Sequence, residues 1–230
     1  MNWDTPPKPA EIAESRLIEA ILEGQFPIGS LLPAERDLAA QLGVTRPTLR
    51  ETLQRLARDG WIEINHGKPT RVRNFWQEGN LGVLGVLARY PQHAPTDFVP
   101  HLLQVRQLLA PAYTELAVKH AAATLLSFLS TLTTLPDTAP AYTTADWELH
   151  YRLTIASGNP IFTLILNGFS ALYQTMGRLY FAQPEHRAHS QAFYRALAEQ
   201  VEKGDGDAAA DLTRRVMQES VVLWRSVIGY

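Results

Sequence analysis

The sequence predicts a mainly α-helical protein in two parts. The first is a winged helix-turn-helix with a small β-hairpin wing, and the second an antiparallel bundle of about six or seven helices. Three observations predict it. Pro33–Trp76 holds two short helical periodicities around a glycine turn, followed by two alternating stretches around a basic turn. From Leu81 onward strand signals are scarce, and helical periodicities alternate with proline and glycine breaks. The 230 residues, 46% of them hydrophobic, suffice for two compact cores of ordinary size. The division falls at residues 1–77 and 78–230.

No element is expected within residues 1–9. Glu11–Glu23 places Ile12, Leu17, Ile18, Ile21 and Leu22 at helical spacings and forms the first helix. Gln25–Leu32, with Pro27 and Gly29, is a connector. Pro33 can open the next helix, because a first-turn position needs no backbone N–H. Leu38, Ala39 and Leu42 give that helix one apolar face, and Gly43 can end it in the left-handed conformation. Thr45 caps the following helix, and Pro47 is tolerated in its first turn. Leu49, Leu53 and Leu56 turn inward, while Arg46 and Arg50 share another face near its start. Asp59-Gly60 ends it. Trp61–Ile64 alternates as a half-buried strand, Asn65–Pro69 turns, and Thr70–Arg73 returns.

Asn74–Asn80 reads as the inter-domain segment, with Phe75 and Trp76 packed at the junction. The remaining helices are expected over Leu81–Tyr90, Phe98–His120, Ala121–Leu135, Thr144–Ala156, Pro160–Phe181, His186–Lys203 and Asp207–Val227.

The second helix of a helix-turn-helix enters the DNA major groove by its N-terminal end, which here carries Arg46 and Arg50. The chain is formally −2 overall, but residues 36–73 hold eight Lys/Arg against four Asp/Glu. Residues 1–35 hold two against six, so positive charge is confined to the expected DNA face. In the wing, Gly67 would let the backbone approach a phosphate or the minor-groove floor, with His66 and Lys68 flanking it.

The absence of cysteine excludes disulfides, thiolate nucleophiles and cysteine-ligated metals, and suits a reducing cytosol. The N-terminus lacks a signal-peptide run. No apolar stretch reaches the ~18 residues of a membrane span. A cytoplasmic protein without a membrane partner is therefore expected. No nucleophile–base–orienter set stands out, so the reading is a non-enzyme with no catalytic residues.

The segment PAERDLAAQLGVTRPTLRETLQRLARDGWI resembles the DNA-binding domain of the GntR regulators, and INHGKPTRVRNFW is similar to their fatty-acid-responsive branch. SGNPIFTLILNG, GRLYFAQPE and ESVVLW extend the resemblance to about Ala10–Trp224. It implies a homodimer on a palindromic double-stranded operator. Arg36, Arg46 and Arg50 would contact bases or phosphates in the major groove, and Thr45 and Thr48 phosphates. His66 and Gly67 would enter the minor groove. Pro47 stands where close relatives are expected to have Thr, so one contact should be missing.

The resemblance further implies a bundle that binds long-chain fatty acyl-CoA as an effector and no cofactor. Arg106, Tyr180, Tyr194, Ser220 and Trp224 would be ligand-responsive, with Met217 beside them. Arg106 suits an anionic phosphate, and the tyrosines offer a ring wall with a polar tip. After Trp224 the tail RSVIGY lacks the basic residue expected for CoA phosphates. Such a regulator represses fatty acid degradation genes, activates unsaturated fatty acid biosynthesis genes, and leaves DNA when acyl-CoA binds.

Most relatives with this type of bundle hold a metal through one Asp and three His. Asp146 and His150 match the opening Asp-x3-His, but Tyr194 and Gln218 stand where later histidines would be. A phenol titrates near ~10 and is a poor ligand at neutral pH. No metal is expected, and Asp146–His150 is read as a hydrogen-bonded pair. The alternative is a GntR regulator sensing a metal-bound carboxylic acid.

Overall fold

The computed structural model describes residues 8–65 and 67–227 of the chain. They form two compact units, divided between His93 and Ala94.

In the first unit, α1 (Pro9–Leu22) packs on α3 (Arg46–Asp59), and α2 (Glu35–Leu42) completes the helical layer. Leu17, Ile18, Leu38, Leu49 and Leu56 are fully buried between them. Gly43 adopts φ 70° at the tight turn, and the Thr45 hydroxyl accepts the Thr48 N–H at 3.3 Å. Thr52 ties α3 to the start of α1 by donating to the Ala10 carbonyl.

The wing is the antiparallel pair β1 (Ile62–Glu63) and β2 (Arg71–Val72), with Ile62 opposite Val72. The connector does more than link helices. Leu32 N–H donates to Thr70 O and Val72 N–H to Ser30 O, both at 2.8 Å, so it pairs along the other edge of β2. Then come α4 (Phe75–Glu78) and α5 (Gly82–Leu87). Phe75 is buried against Trp61 in the first unit, ring centroids 4.6 Å apart, while Trp76 is half exposed.

Gly60 ends α3 at φ 92°, and a Cβ there would lie 2.6 Å from Gly79 Cα. At Gly43 a Cβ would meet nothing within 4 Å. Gly43→Ala should therefore cost only the left-handed conformation, about 1 kcal/mol. Gly60→Ala adds a backbone clash and should cost about 3 kcal/mol. Urea unfolding of the two variants checks the difference; equal losses would show that the Gly60–Gly79 approach is not tight in solution.

The second unit contains, among the described residues, six α-helices: α6 (Phe98–Thr131), α7 (Ala139–Ala156), α8 (Pro160–Gly168), α9 (Ser170–Tyr180), α10 (Pro184–Lys203) and α11 (Gly206–Val227). The break expected after His120 is present: Ala121 is non-helical, with φ −145° and ψ 36°, a kink that divides α6 into two helical segments. The helix expected over Pro160–Phe181 divides at Phe169. By length and composition α6 could cross a membrane, contrary to the sequence reading. Here it is the bundle's central helix, packing on α7, α10 and α11 through residues such as Ala110, Tyr113, Ala117 and Leu125.

Candidate functional site

In the first unit the N-terminal turn of α3 is presented on the surface. Arg46 and Arg50 have side chains 58% and 62% exposed. Both reach Glu35, the first residue of α2: Arg50 Nε donates to Glu35 Oε2 at 2.8 Å, and an Arg46 terminal nitrogen lies 3.8 Å from the same oxygen. Thr45 and Thr48 are joined through their hydroxyls at 2.9 Å, and Pro47 is exposed between them. Arg36 stands apart, paired with Asp37 and largely in solvent.

In the wing, Gly67 is exposed at φ 73°; His66 lies outside the described residues. Arg71 is committed to the wing's base, bonded to Glu63 at 3.0 Å and Glu78 at 2.9 Å. Those hydrogen bonds hold both carboxyls below their usual range. Arg73 also lies 3.8 Å from Glu78. Among the described residues, the wing's free positive charge therefore rests on Lys68 near its tip, and the helix-turn-helix supplies the rest.

In the second unit, α6, α7, α8, α9 and α11 line a half-open cavity of about 130 Å³. Leu102, Leu109, Phe162, Leu166, Phe169 and Met176 contribute to its apolar wall. Arg106, Tyr180, Ser220 and Trp224 of the expected ligand residues line it, and so do Tyr113, His150 and Tyr173, which the sequence reading did not include. Tyr194 and Met217 do not line it. Met217 is buried in the bundle core, and Tyr194 stands behind the wall. Tyr180 and Trp224 stack with ring centroids 6.5 Å apart. The Trp224 indole N–H is buried and has no partner among the described residues, an unmet donor beside the cavity.

The polar end is one network. Arg106 bridges Asp146 Oδ2 at 2.8 Å and His150 Nε2 at 2.5 Å with the same terminal nitrogen. Asp146 and His150 are 3.9 Å apart, so they are not the hydrogen-bonded pair expected; the guanidinium lies between them. Tyr194 donates to Asp146 Oδ1 at 2.9 Å, and Tyr173 donates to Oδ2. Burial opposes ionisation of Asp146, but Arg106 and the two phenols outweigh it and hold its carboxyl below the usual range.

An arginine can only donate, so His150 Nε2 accepts and the imidazole proton sits on Nδ1. Tyr113 Oη, 2.6 Å from Nδ1, receives it. Burial first, and Arg106 second, push His150 down to about 3, so it is neutral at physiological pH. Among the described residues no three His, Cys, Asp or Glu side chains converge as metal ligands. The cation between Asp146 and His150 is part of the protein.

Residues 9–72 match the gntR family of bacterial regulatory proteins, and residues 73–229 match the FadR C-terminal domain. The "Fatty acid metabolism regulator protein" of Yersinia pestis (strain Pestoides F) is 42% identical over 221 residues, covering 96% of this chain and 92% of that protein. The protein of the same name from Yersinia pseudotuberculosis serotype O:1b (strain IP 31758) gives the same figures. A solved structure titled "Lar controls the expression of the Listeria monocytogenes agr system and mediates virulence" aligns with a TM-score of 0.62 at 16% identity, over 97% of this chain and 98% of that one; it supports the fold alone. The relatives are named as regulators, in keeping with a surface helix of arginines. The chain belongs to the GntR family of transcription regulators, in the branch whose second domain is the FadR C-terminal domain.

Proposed function

We propose that this chain is a cytoplasmic, homodimeric regulator of fatty acid metabolism that binds a palindromic operator and leaves it when long-chain fatty acyl-CoA enters the bundle. By the same resemblance it represses fatty acid degradation genes and activates unsaturated fatty acid biosynthesis genes. The observation that carries the effector reading is the cavity: apolar over most of its wall, with a polar end already neutralised by Arg106 and Asp146. Such an end offers no unmatched positive charge to a free carboxylate, but accommodates an uncharged thioester. Arg106 is engaged inside the protein, so it serves here as part of the wall and not as a phosphate anchor.

At about 130 Å³ the cavity is near the size that holds one benzene ring. A long acyl chain is several times larger, so its full burial requires this half-open cavity to widen. Each methylene buried contributes about 0.8 kcal/mol toward that repacking. Ligand and DNA would then select different bundle geometries, and each must weaken the other's binding by the same factor.

A gel shift with the operator, titrated with oleoyl-CoA and separately with oleate, tests the reading. Oleoyl-CoA should weaken operator binding about 5- to 150-fold, and oleate should leave it nearly unchanged. Undiminished binding with saturating oleoyl-CoA would remove the effector assignment while leaving the DNA reading in place.

A further inference from the structure

We infer that Glu35 is a specificity-determining residue of the DNA-reading face: its carboxylate sets the reading geometry of Arg50 and Arg46 and suppresses binding to non-operator DNA. The inference rests on the proposal that this face binds DNA. A carboxylate beside two exposed arginines at the start of α3 is otherwise an electrostatic liability, because it repels the phosphates the arginines attract.

The geometry shows what it offers in return. Glu35 Oε2 takes the Nε–H of Arg50 at 2.8 Å, and the same oxygen lies 3.8 Å from a terminal nitrogen of Arg46. Holding Nε fixes the plane of the Arg50 guanidinium. It leaves both terminal nitrogens with no protein hydrogen-bond partner among the described residues. Those nitrogens form the fork that matches the two acceptors of guanine. Arginine otherwise loses much rotamer freedom on binding, and a side chain already held loses less. Because the pair is solvent-exposed, it adds little to folding stability. Its effect should therefore appear in recognition.

A competing account is purely local. Glu35 is in the first turn of α2, where a negative side chain favours the helix dipole. The two accounts part on Glu35→Asp. Aspartate keeps the charge and suits a helix start equally well, but retracts the carboxylate by one methylene and cannot hold Arg50 in the same way.

The experiment first enriches an operator from random duplexes with the wild-type full-length chain. Affinities of wild type, Glu35→Gln and Glu35→Asp are then measured for that operator and for a scrambled duplex, at two salt concentrations, beside their thermal unfolding midpoints. Both variants are expected to lose about tenfold in the operator-to-scrambled ratio. Glu35→Gln is also expected to bind the scrambled duplex about threefold more tightly, as one repulsive charge is gone. Midpoints should stay close to wild type. A wild-type ratio for Glu35→Asp, or equal weakening on both duplexes with a lowered midpoint, would overturn the inference in favour of the helix-start account. If wild type enriches no operator at all, the DNA reading itself fails and this inference with it.

Discussion

Asp146→Ala should destabilise the bundle by about 3–5 kcal/mol, the cost of stranding a buried charge. The side chain is almost fully buried and receives Arg106, Tyr173 and Tyr194. Its removal leaves one guanidinium without its counter-ion and two phenols without an acceptor. For a domain whose whole stability is about 5–15 kcal/mol, that is a large share. Asp146→Asn keeps an oxygen but loses the charge, so its loss should be smaller. Combining Asp146→Leu with Arg106→Met removes both charges and should recover most of the stability, because buried ion pairs replaced whole by apolar groups are often nearly neutral. Urea unfolding of the single and double variants measures the coupling. A loss below about 1 kcal/mol for Asp146→Ala would show that water reaches and solvates Arg106.

The same network sets a pH dependence. His150 is held neutral, at about 3 against 6.5 unfolded. Between those values the unfolded chain binds a proton there that the folded chain refuses. Stability is therefore fully present above about pH 6.5 and falls on acidification, by up to about 1.4 kcal/mol per pH unit from this group. Asp146, lowered in the fold, acts in the same direction at still lower pH. His150→Gln should flatten the profile between pH 6.5 and 3 relative to wild type. A profile unchanged by the substitution would mean that the imidazole titrates freely in the folded state.

The DNA-reading unit was legible in the sequence because its signals are local. Leu49, Leu53 and Leu56 share a face, Thr45 caps, and Gly43 and Gly60 stop helices, each within a few residues. The bundle's helices were legible in number but not in every boundary. Phe169 breaks α8 from α9 directly after Asn167-Gly168, a turn signal embedded in an otherwise continuous apolar helical pattern. The break at Ala121, by contrast, falls where the sequence places it. The connector's pairing with β2 joins residues about forty positions apart, which no spacing rule encodes.

The sites divide along the same line. Asp146 and His150 were visible as a pair one turn apart, and Arg106 was noted from the family resemblance. That the three form one network depends on α6 packing against α7, a tertiary fact. Tyr173 and Phe162 enter the cavity wall for the same reason. Glu35 escaped because counting charges over residues 36–73 stops one position short of it. Its importance is not a matter of charge count but of which nitrogen it holds.

On the DNA side, Arg50→Ala and Arg46→Ala should each weaken operator binding strongly while leaving the fold intact. Both side chains are mostly exposed, so unfolding free energies should move by no more than about 0.5 kcal/mol. A bidentate arginine–guanine contact contributes about 1–3 kcal/mol of discrimination. In a twofold dimer the substitution removes that contact from both half-sites, so the operator should lose about 2–6 kcal/mol, roughly 30- to 10⁴-fold. Changing the contacted guanine in one half-site of the DNA removes it only once. Titrating wild type with a half-mutated operator, and Arg50→Ala with the intact one, should therefore give losses in the ratio of one to two in free energy. Equal losses would mean that one subunit reads the DNA and the dimer reading is wrong. Lys68→Ala should behave differently: uniform weakening on operator and scrambled duplex, with the salt dependence reduced by about one ion per subunit, because a lysine near the wing tip meets phosphate. If Arg50→Ala instead matched that pattern, Arg50 would be a backbone contact, and sequence reading would have to lie with Arg46, Arg36 or the wing.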